Sequence, residues 1–231
     1  GNGPFMVPGP VSHAQDSYGG YRSALVETVR GKGIRDLAVL RAIATVPRHL
    51  FVPESVRHRA YEDCALPLSA GQTISQPSVQ ARSLEALRLT GKEKGLEVGA
   101  GSGYQTALLA TLAHAVVAVE RLPHLAALAR QALQAAGIRN VTVLVGDGTL
   151  GWRPLGPYDA IVVAAASPAI PRPLIEQLAE GGRIVIPLGD QALQRLTVGT
   201  KRGDRLDTEV IEQVRFVPLL GEHGFPGDIP A

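Results

Sequence analysis

One cysteine, Cys64, stands in a chain of 231 residues, and its isolation sets the first boundary. A lone thiol builds no intramolecular disulfide framework, no multi-cysteine zinc site and no iron–sulfur site. Charge of one sign is also lacking: 23 Lys+Arg face 21 Asp+Glu, a formal net charge of +2. The basic residues are mostly Arg, scattered without a Lys/Arg-rich block, which argues against a protein that coats nucleic acid. No apolar run approaches the roughly 20 residues that span a bilayer. The N-terminal stretch has neither the charged start nor the long apolar core of a signal peptide. These absences predict a soluble protein of a reducing compartment, the cytoplasm, with neither nucleic acid nor membrane as partner. What the chain does have is 45% apolar residues and enough length for one large domain with its own core.

Residues 1–20 are rich in Gly, Pro and small polar residues and read as a poorly ordered tail. A single domain is expected over 21–221, with N-terminal helices and a long loop in 21–76, a cofactor-binding sheet domain in 77–221 and a flexible tail over 222–231. Leu25, Val26 and Val29 share a helix face until Gly31-Lys32-Gly33 breaks it. Asp36 is a candidate N-cap for a second helix bearing Leu37, Val39, Leu40 and Ile43, which stops at Val46-Pro47. Residues 47–76 are irregular and Pro-punctuated, and a structureless stretch of that length inside a domain is usually functional. Helix and strand then alternate: helix 79–89, strand 94–98, helix 104–112, strand 115–119, helix 122–136, and strands 141–145 and 159–164. A helix over 172–178, ended by Gly181-Gly182, leads to strand 183–186. Two last strands, 193–200 and 208–218, flank an Arg202-Gly203-Asp204 turn. The pattern predicts an α/β fold with a doubly wound, mostly parallel sheet and an antiparallel edge.

The strongest local signal is Leu96-Glu97-Val98-Gly99-Ala100-Gly101-Ser102-Gly103-Tyr104, which follows the first strand and opens a helix. Gly99 and Gly101 let backbone approach a ligand, and Gly103 tightens the start of the helix. Glu120 ends the next strand, where an acid accepts both hydroxyls of an adenosine ribose. Gly146-Asp147-Gly148 follows the third strand, and its carboxylate is placed to receive an adenine amino group. The nucleotide is either a dinucleotide or S-adenosylmethionine, and spacing separates them. The dinucleotide fingerprint G-x-G-x-x-G fails, because the sixth position from Gly99 is Tyr104, and from Gly101 it fails as well. Glu-x-Gly-x-Gly-x-Gly, with Glu97 two residues ahead of the first glycine, resembles the first motif of the class I methyltransferases.

The long loop narrows the resemblance. Val46-Pro47-Arg48-His49-Leu50-Phe51-Val52-Pro53, Ala60-Tyr61-Glu62-Asp63 and Gly71-Gln72-Thr73-Ile74-Ser75-Gln76-Pro77 join the glycine loop, Gly151-Trp152 and Phe216-Val217-Pro218-Leu219. Together they resemble the protein-L-isoaspartate (D-aspartate) O-methyltransferase family from about residue 22 to about 221, most specifically at Gln72–Pro77. Ala100 stands where a hydroxyl residue is common, the helix after Pro77 lacks a methionine common there, and the tail from Gly221 matches little. The resemblance implies methyl transfer from S-adenosylmethionine, leaving S-adenosylhomocysteine, to the free α-carboxylate of isoaspartyl residues in peptides and proteins. The ester recloses to a succinimide that hydrolyses partly to normal aspartyl, so the net effect is repair. It implies a monomer with no metal. It also implies cofactor contacts from Gln72, Thr73, Glu97, Gly99, Ala100, Gly101, Glu120, Arg121, Asp147 and Gly148, substrate contacts from Thr73, Ser75 and Gln76, and Ser75 as the catalytic residue.

The chemistry suits these residue types. A carboxylate with a reference pKa near ~3.5 is ionised at neutral pH and needs no strong base, so the lack of an obvious His/Asp dyad is expected. Ser75 and backbone N–H groups at a helix start, just before Pro77, are placed to hold the carboxylate without taking its charge. His49 and His58 lie on polar, Arg-rich stretches and read as solvated surface; Cys64, among Ala65, Leu66 and Leu68, reads as a buried apolar residue. Trp152 reads as packing beside the cofactor edge. Tyr104 either shields the cofactor or caps a helix face, and Asp63 either orients the substrate loop or caps a turn. Two rival enzymes share the cofactor loop. A base-amino methyltransferase usually carries an Asn/Asp-Pro-Pro-aromatic tetrad after the fourth strand, where this chain has Ala164-Ala165-Ala166-Ser167-Pro168. A small-molecule O-methyltransferase has no need of Gln72–Pro77. A methyltransferase-like module that binds damaged protein without turnover is the non-enzymatic alternative, and Ser75, Glu120 and Asp147 weigh against it.

Overall fold

The computed structural model describes residues 17–227, so the outer parts of both expected tails, 1–16 and 228–231, lie outside the described residues. Helix α1 spans Gly19–Gly31 and buries Leu25, Val26 and Val29, the face expected from their spacing. It starts ahead of Tyr21, because Tyr18 stacks on His49 with ring centroids 4.0 Å apart and anchors the chain there. Helix α2, Leu37–Thr45, is capped as its sequence predicts: Asp36 accepts the N–H groups of Ala38 at 2.9 Å and Val39 at 3.4 Å.

The stretch 47–76 is built rather than structureless. It contains 3₁₀ turns at Arg48–Phe51 and Glu54–Arg59 and a two-stranded antiparallel hairpin, β1 (Leu66–Pro67) with β2 (Thr73–Ile74). Val52, Ala60, Leu66 and Ile74 form a small core of its own beneath it. Helix α3, Pro77–Ala86, follows with Pro77 in its first turn, where a missing N–H costs nothing.

Strands β3 (Lys94–Val98), β4 (Ala115–Glu120), β5 (Val141–Val145), β6 (Tyr158–Val163) and β7 (Leu178–Gly189) run parallel. They alternate with α4 (Tyr104–Leu112), α5 (Pro123–Ala135) and α6 (Arg172–Gln177). Strand β8 (Gln194–Arg202) is antiparallel to both β7 and β9 (Arg205–Val214), giving the order β5-β4-β3-β6-β7-β8-β9. The sheet reverses its winding between β3 and β6, and in such sheets the crevice at the carboxyl ends there is the ligand site. Alternation along the strands separates two cores. Val116, Ala118, Ala160 and Val162 face α1 to α5, whereas Leu96, Val98, Val117, Val119 and Ile161 face Leu174 of α6.

Gly181-Gly182 does not end a helix. Strand β7 begins directly after α6, and the glycines accommodate a register shift between the pairs Tyr158↔Leu178 and Ala160↔Arg183. Residues 222–227, expected as flexible tail, turn back on the domain, with Glu222 N–H on Asp147 Oδ2 at 2.9 Å and Phe225 N–H on the Leu219 carbonyl at 2.7 Å. Among the described residues no helix is long and apolar enough to cross a membrane, and no cluster of His, Cys, Asp and Glu is arranged to hold a metal.

Candidate active site

The glycine loop is held by the end of the neighbouring strand β4. Gly99 N–H donates to the Val119 carbonyl at 2.9 Å, and Gly101 N–H donates to Glu120 Oε1 at 3.0 Å. Gly103 has φ +88°, and a β-carbon there would come within 3.2 Å of Ala129 Cβ, so glycine lets α4 start tight against α5. Glu120 Oε2 accepts Leu122 N–H at 2.8 Å. Each carboxylate oxygen therefore spends one acceptor site on backbone and keeps another for a hydroxyl.

The hairpin closes over this loop. Leu68 N–H binds the Gln72 carbonyl at 2.9 Å, and at the tip Ala70 and Gly71 both have positive φ, +59° and +68°. A cavity of about 60 Å³ lies between hairpin and sheet, lined by Gln72, Thr73, Ser75, Gly99, Ala100, Gly101 and Glu120, with Gln80, Ser102 and Gln105 beside them. A second cleft of about 410 Å³ lies on the other side of the same segment, lined by Thr73, Ser75, Gln76, Val79 and residues 213–216. Thr73 and Ser75 border both. The first cavity fits an adenosyl group by its chemistry, with an acid for ribose hydroxyls and bare glycine backbone. By size it does not yet, since small-ligand pockets hold roughly 300–1,000 Å³.

Five of the expected site residues are not brought to the first cavity. Gln76 faces the second cleft, and Arg121 lies half-buried outside both. Gly148 is pressed against Val98, where a β-carbon would overlap that side chain. Asp147 already accepts Thr149 N–H at 2.9 Å, the Thr149 hydroxyl at 2.7 Å and Glu222 N–H at 2.9 Å. Glu97 is sealed beneath the loop, fully buried and bonded to the Thr106 hydroxyl, with Oε2 unpartnered. Burial pushes its carboxyl up to about 8.

The helix-start expectation needs correction. Ser78 N–H is taken by Asp63 Oδ1 at 2.8 Å, and the Val79 and Gln80 N–H groups bond the Gln76 carbonyl at 3.0 and 3.1 Å. Just ahead of the helix, the N–H groups of Ser75 and Gln76 have no acceptor among the described residues. Asp63 also accepts Gln76 Nε2 at 3.1 Å and pairs with Lys32, so it fastens the segment to α1 and α3. Burial alone would raise its carboxyl, but the Lys32, Ser78 and Gln76 hydrogen bonds outweigh that and hold it below the usual carboxylate range.

Two side chains, His49 and Cys64, lie elsewhere than expected, and the place of Tyr104, left open by the sequence, is settled by burial. His49 is half-buried between Tyr18 and Tyr61, whose hydroxyl meets Nδ1 at 2.8 Å; burial first, then Arg22 and Arg57, depress its pKa. Cys64 is half-exposed rather than buried, and desolvation raises its thiol. Tyr104 is buried at 1% exposure under Arg48 and against Phe51, with its hydroxyl pushed up to about 12 by burial. Arg48 itself was not singled out from the sequence. It is fully buried and donates to Gln80 Oε1 at 3.0 Å and to the Ser75 carbonyl at 3.2 Å. Its position between buried Val46 and Phe51 was the available signal.

The family model described as protein-L-isoaspartate(D-aspartate) O-methyltransferase (PCMT) matches residues 21–224. A protein-L-isoaspartate O-methyltransferase of Methanoculleus marisnigri is 51% identical over 209 residues, covering 90% of this chain and 95% of the relative. Its counterpart in Dictyoglomus thermophilum is 50% identical over 204 residues, covering 88% and 93%. A solved protein-L-isoaspartate O-methyltransferase superposes with TM-score 0.81 at 28% identity, covering 88% of this chain and 67% of that one. A proposed enzyme of the same name from Plasmodium falciparum, in complex with S-adenosyl-L-homocysteine, gives 0.75 at 26%, covering 86% and 98%.

Proposed function

The chain belongs to the protein-L-isoaspartate O-methyltransferase family, and from that premise we propose how its own residues carry the reaction. The protein transfers a methyl group from S-adenosylmethionine to isoaspartyl residues of peptides and proteins. Glu120 takes the ribose hydroxyls, the Gly99–Gly101 backbone lies along the cofactor, and Gln72 and Thr73 close over it. Asp147, Gly148, Arg121 and Glu97 support that pocket from outside its lining. Ser75 holds the substrate α-carboxylate through its hydroxyl and N–H, joined by Thr73 and the N–H of Gln76. The observation that carries this reading is that Thr73 and Ser75 alone of the expected set border both cavities, so a group held there faces cofactor and peptide together.

When bound, S-adenosylmethionine supplies a methyl already activated on a sulfonium. The protein's work is therefore alignment and exclusion of water. Positioning of two reactants is worth roughly 7–11 kcal/mol, and a dry site favours a transition state in which opposite charges cancel. Hydroxyl and amide donors suit the task because they orient an ionised carboxylate without supplying a counter-charge in direct contact. We read the enzyme as a cytoplasmic monomer acting on neither nucleic acid nor membrane, a reading supported by its near-neutral charge and single cysteine. Labelled cofactor with matched isoaspartyl and aspartyl peptides tests the function. Methyl should enter the isoaspartyl peptide alone, and equal labelling of both would overturn the assignment.

A further inference from the structure

Arg48 is 0% exposed, yet both groups it hydrogen-bonds are neutral, and Asp63 acts on it only through space, without an ion pair. Its guanidinium donates to Gln80 Oε1 and to the Ser75 carbonyl and lies 4.4 Å from the centre of the Tyr104 ring. Its Nε is buried with no acceptor. None of the ion pairs among the described residues includes it. Arginine does not deprotonate in proteins, so a full positive charge sits desolvated behind Ser75. Packing does not account for this, because an apolar side chain of similar volume usually stabilises a core at least as well as a buried charge.

We propose that Arg48 is a positioning residue for the isoaspartyl carboxylate: its fork fixes the Ser75 peptide and the Gln80 amide, and its charge, which has no contacting counter-ion in the fold, is met by the substrate's own carboxylate. The inference rests on the reading that Ser75 holds that carboxylate. Two planar N–H groups bonded to different segments set the orientation of Ser75, which an ammonium would not do. The charge acts from behind the wall of the site, one peptide away from the reacting oxygen. Direct contact would tie up the lone pairs that attack; at this remove the charge draws in an anion and leaves its outer face free. The methyl ester is neutral, so the attraction ends with the reaction and the product leaves more readily than the substrate.

The test is steady-state methylation of an isoaspartyl peptide by wild type, Arg48→Gln, Arg48→Lys and Gln80→Glu, with S-adenosylhomocysteine affinity measured for each. Arg48→Gln should raise the peptide KM about tenfold or more, as for loss of a charged hydrogen-bond partner, with cofactor-product affinity nearly unchanged. Arg48→Lys should recover most of KM but keep a low kcat, since it restores charge without the fork. Gln80→Glu supplies a counter-ion at the Nη1 position; it should hold or raise thermal stability while raising the peptide KM. That variant keeps the test decisive even where the Arg48 variants fail to fold. An unchanged KM in Gln80→Glu, or a rise in KM matched by an equal loss of cofactor affinity in Arg48→Gln, overturns the proposal. An inactive wild type would instead overturn the reading of Ser75.

Discussion

Glu120 Oε1 accepts the N–H of Gly101 at 3.0 Å, so the acid at the end of β4 holds the glycine loop in place as well as lining the cavity beneath the hairpin. Its other oxygen accepts Leu122 N–H at 2.8 Å. Glu120→Ala therefore removes two kinds of interaction, ribose bonds worth about 1.5–3 kcal/mol and the tether of the loop. Affinity for S-adenosylhomocysteine should fall on the order of 10- to 100-fold by calorimetry while the fold survives. Unchanged affinity would take Glu120 out of the site.

Local pattern carried the sheet further than the site. Strands β3 and β5 and helix α4 begin and end where apolar spacing places them, because their alternation is set by burial on known faces. The hairpin at 66–74 left no such trace: two-residue strands have no period, and Ala70 is not a residue that announces positive φ. Gly181-Gly182 gave a helix-end signal that serves equally for a strand irregularity. Arg48 was hidden for a different reason. Its burial depends on Ser75, Gln80 and Tyr104, acceptors and a ring that chain order places far downstream. Glu120 was legible because the end of a strand beside a glycine loop fixes its neighbourhood locally. Asp147 was legible as an acid at a strand end, but its engagement by Thr149 and by the returning tail was not.

Glu97 gives stability a pH dependence of unusual sign. Burial raises its carboxyl to about 8, against 4.5 for the free side chain. Between those values the unfolded chain releases a proton that the folded chain keeps, so this group's contribution to stability falls as pH rises. The slope is at most about 1.4 kcal/mol per pH unit, and it ends once both states are ionised. Glu97→Gln keeps an acceptor for Thr106 and cannot ionise. In urea denaturation its stability relative to wild type should improve from pH 5 to pH 8. A difference between the two proteins that is flat across that range would mean that Glu97 is already charged in the fold.

The hairpin and its flanks should open and close. The space between Ser75 and Glu120 is about 60 Å³, so residues 68–75 must swing away for a nucleoside to pass. Asp63, bound to Lys32, Gln76 and Ser78, is the fixed end of that movement. Hydrogen exchange over 60–77 should slow on addition of S-adenosylhomocysteine, most at the tip around Ala70 and least near Asp63. Exchange indifferent to ligand would identify the segment as a rigid connector.

Ser75 should govern the reading of the linkage. Its N–H and that of Gln76 are the open backbone donors at the junction of the two cavities, and its carbonyl is pinned by Arg48. An isoaspartyl residue carries its α-carboxylate one bond from the main chain, whereas a normal aspartyl side chain presents its carboxylate one methylene further out. Donors on a peptide pinned by Arg48 do not follow that displacement, and an error near ~1 Å can cost on the order of 100-fold. Ser75→Ala removes one hydroxyl donor and leaves both amides. Turnover with isoaspartyl peptide should drop roughly tenfold, the equivalent of one hydrogen bond of ~1.5 kcal/mol in the transition state. S-adenosylhomocysteine affinity should barely move, because the proposed cofactor contacts rest mainly on the glycine loop and Glu120. The discrimination against aspartyl peptide should persist in the mutant, since the amides and the Arg48 anchor that set the distance are untouched. Methyl incorporation into matched peptides by both proteins measures all three. A mutant as active as wild type would move the catalytic role to the amides, and a mutant that labels both peptides alike would place the discrimination in the hydroxyl itself.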